Sequence, residues 1–332
     1  MEACTVSILP EHSLDVSLDT VLAARETIGG RLHRTPTFSS ATLSELTGAH
    51  VHLKAELFQR TGSFKPRGVL NRLAALTPDE RARGVVTWSA GNHAQAVAYA
   101  AAQEGLDCLV VMSAGVSPAK VAATRGYGAE VYLQAPDHAA AYDRLLVLIQ
   151  ETGRFFVHPF DDPLVIAGQG TVGLEIAEDV PDVELVVVPV GGGGLISGIA
   201  TAIQGLSPRA RVIGVEPEGS QAMSAALAAG EVVHVESSTI ADGLGPPFAG
   251  ELTLSIVKER VDEVVLVTEE EIEEGFSFLY RRAKLACEPA GAATTAALLA
   301  GKVQPKQGET VVAVVSGGNV APETASAILA RR

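Results

Sequence analysis

The chain has 332 residues and sets 25 Lys+Arg against 39 Asp+Glu, a net charge of -14. That balance excludes a phosphate-backbone partner and an anionic membrane surface, both of which need a basic face. With 47% hydrophobic and 19% charged residues, 33 Gly and 17 Pro, the chain is neither disordered nor collagenous, and its length suits two lobes. Cys4, Cys108 and Cys287 are odd in number and lack paired spacing. Neither a disulfide framework nor a thiolate metal site is expected, and a reducing cytoplasm fits. The N-terminal segment with Glu2, Glu11, Asp15 and Asp19 has no basic start or apolar core, and no later run is long enough for a membrane span.

Short β-branched runs alternate with Ala-rich helical stretches, the pattern of parallel strands joined by crossover helices. Strands are predicted over residues 85–88, 108–112, 185–188, 212–215 and 311–315, and helices over 94–102, 118–125, 169–178, 195–203 and 269–284. The strand runs are continuously apolar rather than alternating, so helices cover both sheet faces in an open α/β fold. Composition shifts near Gly84 and Arg154. A small domain of residues 84–154 is therefore expected inside a larger one of 1–83 plus 155–332. Ligands of such sheets gather at the carboxyl ends of strands.

Residues 186–190 run into Gly191-Gly192-Gly193-Gly194 and then Leu195-Ile196-Ser197-Gly198, which opens a helix. Successive glycines let the backbone approach an anion and aim several N–H groups at it, with the helix dipole behind them. The bland alternative is a tight turn. Gly192-x-Gly194-x-x-Ser197, with Glu216 about 20 residues further on after a strand, also approaches a dinucleotide fingerprint. On this stretch alone an NAD-dependent oxidoreductase stays open. A P-loop is excluded, because no Gly-Lys-Ser/Thr follows.

Upstream, Thr61-Gly62-Ser63-Phe64-Lys65-Pro66-Arg67-Gly68 resembles the lysine motif of the pyridoxal-phosphate (PLP) enzymes of the tryptophan-synthase-β fold type, fold type II, and within them the threonine/serine dehydratases. The resemblance covers nearly the whole chain. It implies two open, mostly parallel sheets and a Schiff base between Lys65 and PLP, with Phe64 packing on the ring. An amine in an apolar pocket has a lowered pKa, which frees its lone pair for imine formation. Ser89-Ala90-Gly91-Asn92-His93 resembles the family loop whose backbone N–H groups bind the substrate carboxylate, with Asn92 on the cofactor's ring hydroxyl. His93 could be read as a general base, but a packing or loop-fixing role is preferred because no second catalytic partner is visible nearby. The resemblance further implies that Gly191 to Gly194 cradle the PLP phosphate, that Gly243 gives clearance beside the ring, and that Ser316, followed by Gly317, bonds the pyridine nitrogen. Glu288 reads either as an acid near the pyridine or as a helix-start carboxylate.

A neutral hydroxyl on the ring nitrogen makes the cofactor a restrained electron sink, which favours β-elimination over reactions that need a long-lived carbanion. The expectation is an ammonia-lyase (dehydratase) converting a small β-hydroxy amino acid to a 2-oxo acid and ammonia, L-threonine to 2-oxobutanoate or L-serine to pyruvate. Serine racemase and 3-hydroxyaspartate dehydratase are alternatives on the same scaffold. Racemisation needs an acid/base on the second face of Cα, and resembling racemases carry a serine where Ala90 stands. A catalytically silent PLP-binding protein would lose the Ser89 to His93 loop, which is intact. A nicotinamide enzyme leaves Lys65 and Ser316 unexplained. The family's cation site would use Glu216 and Ser220, but Ala222 stands where divalent-binding relatives place a second acid, so a divalent ion is not expected, a monovalent ion or water stays open, and Glu216 reads alternatively as structural. The chain ends soon after Ser316, and no C-terminal regulatory domain is expected. A homodimer or homotetramer is implied. Gly245-Pro246-Pro247-Phe248 is expected to shape the substrate side-chain end.

Overall fold

The computed structural model describes residues 15–331, apart from the side chains of residues 138 and 139. Among them are ten strands: β1 (Thr37–Ser39), β2 (His50–Ala55), β3 (Val85–Trp88), β4 (Cys108–Ser113), β5 (Glu130–Ala135), β6 (Phe155–Phe156), β7 (Leu185–Pro189), β8 (Arg211–Pro217), β9 (Glu263–Val267) and β10 (Thr310–Val315). They form a six-stranded sheet of order β1-β2-β10-β7-β8-β9 and a four-stranded sheet of order β5-β4-β3-β6. Every pairing is parallel except β1 with β2. The central strands β7 and β10 are buried along their whole length, as continuous apolar runs under two helical layers must be.

The five predicted strands are present to within two residues at each end. The helix expected over 269–284 is shorter: Thr268 caps it in a capping box, the α-helix ends at Phe278, and Leu279–Ala283 continues as one π-turn before Lys284 turns left-handed at φ 60°. The helix expected over 169–178 starts earlier, at Pro163, because Asp162 accepts from Leu164 and Val165 N–H and proline occupies the first turn.

Helix Pro163–Asp179 is the hub that fixes the site. On one side Gly168 lies against Gly68 of helix Pro66–Ala74; on the other Gly170 lies against Gly198 of helix Gly194–Leu206. A Cβ on Gly170 would fall 2.9 Å from the Gly198 carbonyl oxygen, so these backbones meet at a distance only glycine permits. The start of the lysine helix and the start of the glycine-loop helix are thereby held by one rigid element. Buried charge reinforces the first contact: the Arg67 guanidinium pairs with Glu56 (2.8 Å) and Glu175 (2.7 Å).

Cys108 and Cys287 are free and buried; Cys4 lies outside the described residues. No helix among the described residues is long and apolar enough to cross a membrane.

Candidate active site

A cavity of about 520 Å³ opens at the carboxyl ends of β3, β6, β7 and β10. Lys65 is the residue before Pro66, which occupies the first turn of its helix. Its Nζ donates to the Pro159 carbonyl at 2.7 Å and lies 5.1 Å from the centre of the Phe64 ring. Burial pushes its pKa down to about 8, since a charge away from water is disfavoured. The segment is strapped to the end of β10: Ser63 bridges Gly317, and Phe64 N–H donates to the Ser316 carbonyl at 3.2 Å. Lys65 and Ser316 thus enter one cavity from chain positions far apart.

The loop after β3 contributes Ser89, Ala90, Gly91, Asn92 and His93 to the lining. Ser89 Oγ accepts from Gly91 N–H at 3.2 Å, and helix Asn92–Glu104 starts at the cavity without a side-chain cap, which leaves its first N–H groups available to an anion. Asn92 Nδ2 donates to Glu288 Oε1 at 2.6 Å, while its Oδ1 accepts from Asn319 at 2.7 Å. Glu288 starts helix Pro289–Leu299 yet caps none of its N–H groups through the side chain. Between the two readings of Glu288, its carboxyl faces the cavity and Asn92. Burial pushes it up to about 8 against the opposing hydrogen bond from Asn92, with the Asp242 charge adding to the rise. His93 is buried, donates from Nε2 to the Val157 carbonyl, and is held down to about 3 by burial and the nearby Lys65 charge.

The four glycines line the cavity, and no protein acceptor among the described residues takes their N–H groups. Their side-chain-free faces serve a second purpose. A Cβ on Gly192 would run into the Phe160 ring, and one on Gly193, at φ 95°, would meet Met223 and Thr253. Ser316, buried on the lining, makes no side-chain hydrogen bond to protein. A buried amine of lowered pKa, an anion cradle of free N–H donors and a neutral hydroxyl together fit PLP. Gly243 also lines the cavity, and a Cβ there would touch Ala290 at 3.0 Å. Gly317 lies behind the wall, where its carbonyl accepts from Glu288 N–H at 3.0 Å.

Glu216 and Ser220 do not reach the cavity. The Glu216 carboxylate accepts from Met223 N–H, Ser224 N–H and Ser224 Oγ at 2.7, 2.8 and 2.6 Å, anchoring the start of helix Ala222–Ala229. Among the described residues no three His, Cys, Asp or Glu side chains are grouped to hold a metal.

Sequence reasoning missed the wall built from Phe155, Phe156 and residues 158–162, and it missed Lys120, which meets Asp242 at the rim; all of these line the cavity. The signal for the wall was local: Asp162-Pro163 after an aromatic run is a helix-start signature.

The family described as pyridoxal-phosphate dependent enzyme matches residues 29–317. The L-threonine ammonia-lyase of Thermotoga maritima is 48% identical over 306 residues, 92% of this chain and 76% of that protein. The catabolic L-threonine dehydratase TdcB of Escherichia coli is 45% identical over 311 residues, 93% of this chain and 94% of that one. Among solved structures, maize serine racemase superposes with a TM-score of 0.90 at 34% identity, covering 95% of this chain and 97% of that one. The threonine deaminase of T.th. gives 0.86 at 43%, covering 92% and 99%.

Proposed function

The chain belongs to the pyridoxal-phosphate-dependent enzymes, and from that premise we propose that it is an ammonia-lyase that dehydrates L-threonine and L-serine to 2-oxo acids and ammonia. The observation that carries the reading is the buried Lys65 amine, at about 8, placed in one cavity with the glycine N–H groups and Ser316. PLP, when bound, would supply the sink for the electron pair left on Cα.

The residues divide the remaining tasks. The N–H groups of Gly191 to Gly194 and the start of helix Gly194–Leu206 hold a phosphate dianion without a positive side chain. The N–H groups of the Ser89 to His93 loop orient the substrate carboxylate. Lys65 holds and moves the Cα proton: with its pKa at about 8, roughly a tenth of the amine is free base at neutral pH. Ser316 would offer the ring nitrogen a neutral hydroxyl, and Asn92, hydrogen-bonded to Glu288, would hold the ring hydroxyl. The methyl of Ala90 offers no proton to the second face of Cα, which favours elimination over racemisation.

The reading includes a small domain of residues 84–154, a homodimer or homotetramer, and a cytoplasmic location. It is tested with Lys65→Ala. The variant is expected to lose the visible imine absorption and all release of ammonia and 2-oxo acid from L-threonine and L-serine. Turnover that survives the substitution refutes the assignment.

A further inference from the structure

One polar side chain in the cavity has no task in this mechanism. His158 follows β6, and its Nδ1 accepts from Asp161 N–H at 2.7 Å and from Phe160 N–H at 3.3 Å. Occupied as an acceptor, Nδ1 leaves the ring proton on Nε2. No protein acceptor takes that proton among the described residues, and the ring lines the cavity. Burial and the nearby Lys65 charge lower the pKa to about 3, so the imidazole stays a neutral donor at physiological pH.

Its surroundings say which part of a substrate it meets. The next residue, Pro159, holds the Lys65 amine through its carbonyl, so His158 sits one residue from the group that must reach Cα. The substrate carboxylate belongs to the loop and helix start after β3. His158 instead joins an aromatic row, edge-on to Phe160 at 4.7 Å between ring centres, with Phe160 in turn 6.0 Å from Phe248. That row leads to the turn Gly245-Pro246-Pro247-Phe248, all of it lining the cavity. An N–H donor set in a row of aromatic rings discriminates strongly between a substituent that accepts a hydrogen bond and one that does not.

We propose that His158 is a specificity-determining residue whose Nε2–H donates to the β-oxygen of the substrate, selecting β-hydroxy amino acids. This deepens the ammonia-lyase reading and rests on it. The role is one of binding and orientation, and no proton is transferred.

Two variants separate the ring's two nitrogens. His158→Asn keeps an acceptor near the Nδ1 position for the Phe160 and Asp161 N–H groups and removes the distal donor; His158→Gln places an amide N–H near Nε2 and weakens the inner acceptor. Each is assayed as holoenzyme on L-serine and on β-chloro-L-alanine, whose chloride leaves without needing a donor. In His158→Asn the ratio of kcat/KM for L-serine to that for β-chloro-L-alanine is expected to fall tenfold or more, as ~1.4 kcal/mol for one donor implies, with the imine absorption unchanged; His158→Gln restores much of the ratio. Equal loss on both substrates, or an unchanged ratio in His158→Asn, overturns the proposal. A wild-type enzyme that turns over neither substrate overturns the ammonia-lyase reading instead.

Discussion

His93 contributes to the site through the backbone it holds. Its Nε2–H reaches the Val157 carbonyl at 3.0 Å, pinning the loop after β3 to the residue following β6, while Nδ1 is buried without a partner. Burial away from water, with the Lys65 charge nearby, disfavours a charged ring, which is why the folded pKa falls to about 3. In the unfolded chain the same ring titrates near about 6.5. Between those values the unfolded state binds the extra proton, so the stability His93 contributes is present above about pH 6.5 and is lost as pH falls towards 3. From about pH 7 to about pH 5 the loss amounts to about 2 kcal/mol. Urea unfolding across that interval is expected to record it, and His93→Gln, which cannot ionise, should remove a similar amount of the acid sensitivity. His158 is lowered in the same direction and leaves part of the sensitivity in place. An identical pH dependence in the variant would contradict the account. The sequence placed His93 at the right strand end, although the helix starts at Asn92 and takes His93 into its first turn; its partner lies 64 residues away and no local pattern announces it.

Among the elements, helix Glu251–Arg260 owes its start to a residue ninety positions earlier. Gly250, at its N-cap, brings no side-chain oxygen, and the Asp161 carboxylate supplies one instead, accepting from Glu251, Leu252 and Thr253 N–H at 3.0, 3.1 and 3.1 Å. A side chain on Gly250 would collide with Asp161, so the glycine and the distant cap require each other. The cap also ties the wall carrying His158 and Phe160 to the turn ending at Phe248. Asp161→Ala is expected to cost about 1–2 kcal/mol in chemical unfolding and to weaken retention of PLP on dialysis, because Phe160 packs on Gly192 and Gly194. Asp161→Asn, which keeps one acceptor oxygen, should recover part of both losses; full stability in Asp161→Ala would rule out the cap. This helix was invisible to capping signatures, which look for Ser, Thr, Asp or Asn at the position held by glycine. Strands β7, β8 and β10 were legible because burial on both faces makes their central residues, 185–188, 212–215 and 311–315, continuously apolar. Strand β2 was not, since it carries His50, His52 and Lys54. Lys54 is buried and tolerated only through Glu175 at 2.7 Å, Asp179 at 3.2 Å and the Thr35 carbonyl at 2.8 Å, a compensation that arrives from elements distant in sequence.

At the scale of the molecule, the lysine helix is wedged between the two sheet systems. Val69, Leu70 and Leu73 share one core with Val85, Val97 and Val110 of the four-stranded sheet and its helix, while Gly68 of the same helix meets Gly168. That wedge orders the cavity floor. The rim is tied differently, by an ion pair between Lys120, on helix Pro118–Gly126, and Asp242, on the turn Asp242–Leu244. Both residues line the cavity, and their side chains are 39% and 63% exposed. A pair so open to water contributes about 0–1 kcal/mol to folding, so Asp242→Asn should leave the thermal midpoint almost unmoved. Its effect belongs to binding, because the pair links the four-stranded sheet's helix to a turn of the larger sheet across the opening. Asp242→Asn is expected to raise KM for L-threonine severalfold with kcat little changed. Salt screens exposed charges over about 10 Å at about 0.1 M, so the wild-type KM should climb with added sodium chloride towards the variant's, which stays flat. A wild-type KM indifferent to salt, or a variant with the wild-type KM at low salt, would show that the rim pair does not govern entry to the site.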